Sequence, residues 1–194
     1  MQIVYHIGAH CTDQDVLHAS LVKNKTALVQ KQAALPHPHK YRNVIRDNQQ
    51  AMAQRARPDM SGEEPLADIL GDPDADWMIL TKGVNFDALA MEKLQAFGTL
   101  FQSHDIELSI CMREPGTFIP AAHGKSHGRS FQRFVAGTAS TVVQWSGLIH
   151  RMRTVLPRAK ITARCNEDTP FVWSIVLRHL IGLDAEEPIN AGMI

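Results

Sequence analysis

Apolar residues recur along this chain with two periods. Four short runs have the length and residue types of strands: Gln2–Ile7 (QIVYHI), Trp77–Leu80 (WMIL), Ile106–Cys111 (IELSIC) and Lys160–Ala163 (KITA). Between them lie longer stretches with helical spacing, at Asp13–Gln32, Tyr41–Arg55, Phe86–His104, Gly116–His123, Ser140–Val155 and Pro170–Leu183. In the first, Val16, Leu17, Leu21, Leu28 and Val29 fall on one broad face, the stripe that a surface helix buries. Strands that alternate with helices of this length pair in parallel through right-handed crossovers. The pattern therefore predicts an α/β fold: a short, mostly parallel sheet with helices on both faces.

Two segments interrupt the rhythm. Residues 57–76 carry Asp59, Glu63, Glu64, Asp68, Asp72, Asp74 and Asp76, no basic residue after Arg57, and Pro58, Pro65, Gly71 and Pro73. They read as an acidic, solvated connection with one short helix near Pro65–Leu70. Residues 124–134 (GKSHGRSFQRF) read as a basic, glycine-bearing loop.

Composition narrows the class. A chain of 194 residues with 44% apolar and 21% charged residues suits one globular domain over 1–194. A formal net charge of zero gives no general attraction to nucleic acid. The apolar runs are too short to span a membrane, and the N-terminus enters a strand with no basic and apolar leader, so no membrane partner and no secretory signal are expected. Cys11, Cys111 and Cys165 are odd in number and widely spaced, which points to a reducing compartment and to the cytoplasm.

The candidate chemistry lies at the end of the first strand, in Ile-Val-Tyr-His-Ile-Gly-Ala-His-Cys-Thr (3–12). A strand, a glycine turn and a helix start present backbone N–H groups to an anion. Gly8, Ala9, His10, Cys11 and Thr12 are thus candidate anion-binding residues; the plainer account is a βα turn that needs glycine for its dihedrals. No lysine stands in this turn, and Asp13 and Asp15 sit where an anion would dock. Either Thr12 or Asp13 suits the helix N-cap. His6, His10, Cys11, Asp13 and Asp15 are metal-competent residue types, yet their spacing commits to no metal site. His123 and His127 are flanked by glycines that oppose a helical ligand pair, and His37 and His39 read as surface turn residues. Lys125, Arg129 and Arg133 suit either a basic lid or a solvated loop.

Three motifs, in order along the chain, resemble those of the sulfotransferases. His-Ile-Gly-Ala-His-Cys-Thr (6–12) resembles their first-strand motif. Ile-Cys-Met-Arg-Glu-Pro-Gly-Thr-Phe (110–118) resembles the strand that ends in Arg-x-Pro. Asn-Glu-Asp-Thr-Pro-Phe-Val-Trp (166–173), closing with Leu-Ile-Gly-Leu-Asp (180–184), is similar to their late strand, acidic turn and last helix. The resemblance implies a three-layer, P-loop-type α/β sandwich. It also implies transfer of a sulfuryl group from 3′-phosphoadenosine 5′-phosphosulfate to the hydroxyl or amine of a small-molecule or protein acceptor. On this resemblance Gly8–Thr12 would hold the 5′ side of the donor and Arg113 its 3′-phosphate. The donor site departs from the family at several points. Cys11 stands where the family has its sulfuryl-contacting lysine, Asp13, Gln14 and Asp15 stand where it has Gly-Thr-Thr, and Ala121 falls where a serine is expected. His6 and His10 are candidate bases by proximity alone, and Lys82 is a candidate replacement for the lost lysine. Three readings follow: an active sulfotransferase with an altered donor site, a non-catalytic relative that binds or interacts, or a small metal-dependent enzyme that uses the histidines at the end of the first strand.

Overall fold

The computed structural model describes residues 1–8, 11–53, 75–81, 91–101, 103–125, 128, 130–138 and 144–192, with backbone only at 14, 15 and 48–53. Its strands are β1 (Gln2–His6), β2 (Ala33–Ala34), β3 (Trp77–Leu80), β4 (Asp105–Met112) and β5 (Lys160–Cys165). Its helices are α1 (Gln14–Lys23), α2 (Lys25–Gln30), α3 (Pro38–Ala53), α4 (Met91–Phe101), α5 (Pro115–Lys125), α6 (Phe131–Ala136), α7 (Trp145–Val155) and α8 (Thr169–Ile181), the last preceded by one 3-10 turn.

All five strands are parallel, in the order β2-β3-β1-β4-β5, so β1 is central as its unbroken apolar run requires. The pleat sends alternate residues to opposite faces. One face is wholly apolar: Ile3, Tyr5 and Ile7, Met78 and Leu80, and Ile106, Leu108 and Ile110 pack under α3, α4 and α7. On the other, Val4 and Ile79 meet Leu17 and Leu21 of α1 and Trp173, Leu177 and Leu180 of α8. Trp77 of β3 adds a hydrogen bond from Nε1 to the Leu180 carbonyl, 2.7 Å.

Three expectations are corrected. The helix predicted over Asp13–Gln32 breaks at Asn24 into α1 and α2. Asn24 donates from Nδ2 to the Ser20 and Asn190 carbonyls and accepts the Asn190 N–H, so a distant segment holds the break open. The fifth strand, β2, is a two-alanine edge strand that the apolar pattern does not signal. The basic stretch 124–134 is not all loop. It holds the end of α5 and most of α6, which Ser130 caps by accepting the Arg133 N–H and which Phe131 and Phe134 anchor on the His123 ring, with centroids at 5.3 and 5.4 Å. The short helix expected near Pro65–Leu70 lies outside the described residues.

Candidate functional site

The C-terminal ends of β1, β3, β4 and β5 converge on the loop that leads into α1, the place where open α/β sheets bind ligands. Gly8 takes φ +39° and Cys11 takes φ +63°, both in the left-handed region. A buried non-glycine residue there is strained, and it persists only when its surroundings fix it. They do: Arg113, leaving β4, donates from Nη1 to the Cys11 carbonyl at 2.7 Å and from Nε to Thr117 Oγ1 at 3.2 Å. Trp145 at the start of α7 donates to the Arg113 carbonyl at 2.8 Å. Glu167 accepts from Thr117 Oγ1 and from the Glu114 N–H, which joins the entry of α5 to the turn before α8. Thr12 is half-buried. Ala9, His10 and Lys82 lie outside the described residues.

Beneath this loop the second face of the sheet turns polar. Parallel register places His6 beside Ser109 and Cys111 beside Arg164. Asp13 occupies the N-cap position of α1 but contributes only its carbonyl, which accepts the Leu17 N–H; its side chain makes no capping bond. The carboxylate turns inward instead. Oδ2 accepts from Arg164 Nη2, and Oδ1 lies 3.3 Å from His6 Nε2, a close contact off the ideal hydrogen-bond line. Burial alone would raise the Asp13 pKa. His6 and Arg164 outweigh it and hold the carboxyl well below the usual carboxylate range. The negative charge at the helix start is thus neutralised from within the protein, and the side chain points away from the loop's outer surface.

Arg164 also donates from Nη1 to Thr169 Oγ1 at 3.1 Å and to Cys111 Sγ at 3.2 Å. Burial first, and then the neighbouring Asp13 charge, push the Cys111 thiol up to about 12, so it stays protonated. His6 is fully buried, with Nδ1 3.3 Å from Ser109 Oγ, so it sits under the loop and not at a surface a substrate could reach.

A different histidine reaches the open edge. His18, one turn into α1, holds Nδ1 at 3.0 Å from Thr81 Oγ1 at the end of β3. Thr81 is itself fixed, since its N–H donates to Tyr41 Oη and its carbonyl accepts the Tyr41 hydroxyl. Burial pushes the Tyr41 phenol up to about 12, so it remains a donor. The His18 ring meets His37 edge-on at 5.8 Å, and His37, just before α3, stacks at 5.0 Å on His39 in its first turn, both exposed. Sequence reasoning passed over His18, Arg164 and Ser109. The available signals were a histidine four residues after a helix start and polar residues at alternate positions of β4 and β5. Among the described residues, no group of three His, Cys, Asp or Glu side chains is arranged to hold a metal ion.

The crystal structure of a sulfotransferase from Alicyclobacillus acidocaldarius superposes on this chain with a TM-score of 0.60 at 12% identity, covering 98% of this chain and 85% of that one. The fold is sulfotransferase-like. No protein-family model matches the sequence, and no curated protein matches it.

Proposed function

We propose that this chain is a sulfotransferase-type protein that binds 3′-phosphoadenosine 5′-phosphosulfate at the C-terminal edge of its sheet and serves an acceptor hydroxyl or amine there. The observation that carries the reading is the pair of left-handed residues Gly8 and Cys11 before α1, the latter tied to Arg113, in a chain of which 98% superposes on a sulfotransferase fold. The turn suits an oxyanion, and the inward pairing of Asp13 with Arg164 removes one repulsion that would exclude it. When bound, the donor supplies the sulfuryl group.

His18 is the base that this reading favours. With Nδ1 held by Thr81, its Nε2 would take the proton of the acceptor hydroxyl as that oxygen bonds the sulfuryl sulfur and the sulfur–oxygen bond to the donor's 5′-phosphate breaks, releasing 3′-phosphoadenosine 5′-phosphate. His6, buried and engaged, is not suited to that role. The acceptor is a small molecule or a protein. The three cysteines, none of them in a disulfide, fit a reducing compartment and a cytoplasmic setting.

Calorimetric titration with 3′-phosphoadenosine 5′-phosphate tests the donor site. Saturable binding that Arg113→Ala weakens is expected, and a flat titration of the parent chain overturns the reading. If binding is present, His18→Ala should lower the single-turnover rate about 10²–10⁴-fold with little change in nucleotide affinity.

A second reading, a non-catalytic relative that keeps the scaffold for binding, is favoured by one arrangement: Arg113 already holds protein partners at Cys11 and Thr117. Nucleotide binding without any transfer by the parent chain would support it.

A further inference from the structure

A well-formed concavity lies at the opposite end of the sheet. It has a volume of about 730 Å³ and sits where β4 and β5 begin, within the roughly 300–1,000 Å³ typical of small-molecule sites. Its origin is a close helix crossing. A Cβ on Gly98 of α4 would stand 2.7 Å from the Val155 carbonyl of α7, so only glycine lets the two helices approach there. Beyond that crossing both helices end, at Phe101 and Val155, and two separate turns carry the chain into β4 and β5. The space between those turns is the cavity.

Its chemistry is sorted by depth. Phe101, Ile106 and Leu156, all core residues, form an apolar floor. The mouth carries two exposed charges of opposite sign, Asp105 and Arg158. Two helix C-termini also meet there, and the carbonyl end of a helix favours a cation. His104 lines the wall, where burial first and the Met1 amino group second pull its pKa down and leave a neutral imidazole.

We propose that this cavity binds an α-amino acid with a large apolar side chain: the side chain lies on the Phe101–Leu156 floor, the ammonium faces Asp105 and the helix ends, and the carboxylate faces Arg158. The site is independent of the loop at Gly8. The eight residues of β4, at about 3.3 Å each, hold the two edges roughly 23 Å apart.

The test is calorimetric titration of the whole chain with L-phenylalanine, 3-phenylpropionate and 2-phenylethylamine. Phenylalanine should bind at one site, and each half-ligand about tenfold or more weakly. Arg158→Ala should weaken phenylalanine about tenfold and leave phenylethylamine unchanged; Asp105→Asn should weaken it similarly and leave phenylpropionate unchanged. Both side chains are exposed, so these variants keep the fold. Excess 3′-phosphoadenosine 5′-phosphate should not displace phenylalanine. The proposal is overturned by no binding at roughly 10 mM, by phenylpropionate or phenylethylamine binding as tightly as phenylalanine, by indifference to both substitutions, or by displacement with the nucleotide.

Discussion

Asp13 shows how a residue's meaning depends on where its side chain turns. At a helix start it could cap, repel an anion or pair, and the structure selects pairing, with His6 and Arg164. Breaking a buried ion pair from one side leaves the other charge uncompensated, so Asp13→Ala should lose about 3–5 kcal/mol in urea unfolding. A loss under about 1 kcal/mol would mean that Arg164 finds solvent easily. Gly98 is a second informative position. Its missing Cβ faces backbone, which cannot yield as a flexible side chain would. Gly98→Ala should therefore lower stability by about 1–3 kcal/mol through overpacking, despite alanine's better helix propensity; an unchanged melting temperature would contradict the close crossing.

At the scale of elements, β4 binds two buried polar clusters into one face. Glu107 accepts from Thr162 at 2.6 Å and Lys160 at 3.0 Å, and meets His179 Nε2 at 2.7 Å. Burial alone would raise its pKa, but these partners together lower it. Asp13 is lowered too. A carboxyl with a depressed folded pKa contributes stability that is present above its unfolded value and lost as pH falls through the folded one. Stability should thus decline as pH drops below the ordinary carboxyl values of 4.5 for Glu107 and 3.8 for Asp13. Glu107→Gln should flatten the upper part of that decline in unfolding curves taken from neutral to acid pH; an unchanged slope would mean that Glu107 titrates alike in both states.

The same elements mark what could be read from the sequence. β1 and β3 were legible as short apolar runs, β4 and β5 as alternating apolar and polar positions, and Gly8 because its turn demands it. β2 was not, since two alanines carry no period. The break at Asn24 was not, because its partner Asn190 lies at the far end of the chain. Ser109 and Arg164 became site residues only through parallel register, which no local pattern encodes. His18 looked like any polar position of an amphipathic helix until Thr81 was seen beside it.

For the whole molecule, the sheet lies between the two proposed ligand edges, with a buried apolar cluster packed on one of its faces. Sites that share no bistable element do not couple. A nucleotide at the upper edge should stabilise the fold by about 2.7 kcal/mol at a hundred times its dissociation constant. Added phenylalanine should raise the melting temperature by the same increment with or without nucleotide. A departure from additivity would reveal communication through β4.

The central position of β1 also governs how the protein comes into being. Ile3–Ile7 leaves the ribosome before either of its lateral neighbours, residues 77–80 and then 105–112, has been made. Until β3 is made both flanks of this sticky apolar strand are bare, and until β4 is made one still is. Nascent chains stopped short of about residue 112 should therefore collect on holding chaperones or precipitate, whereas those that carry β4 can close over their own beginning.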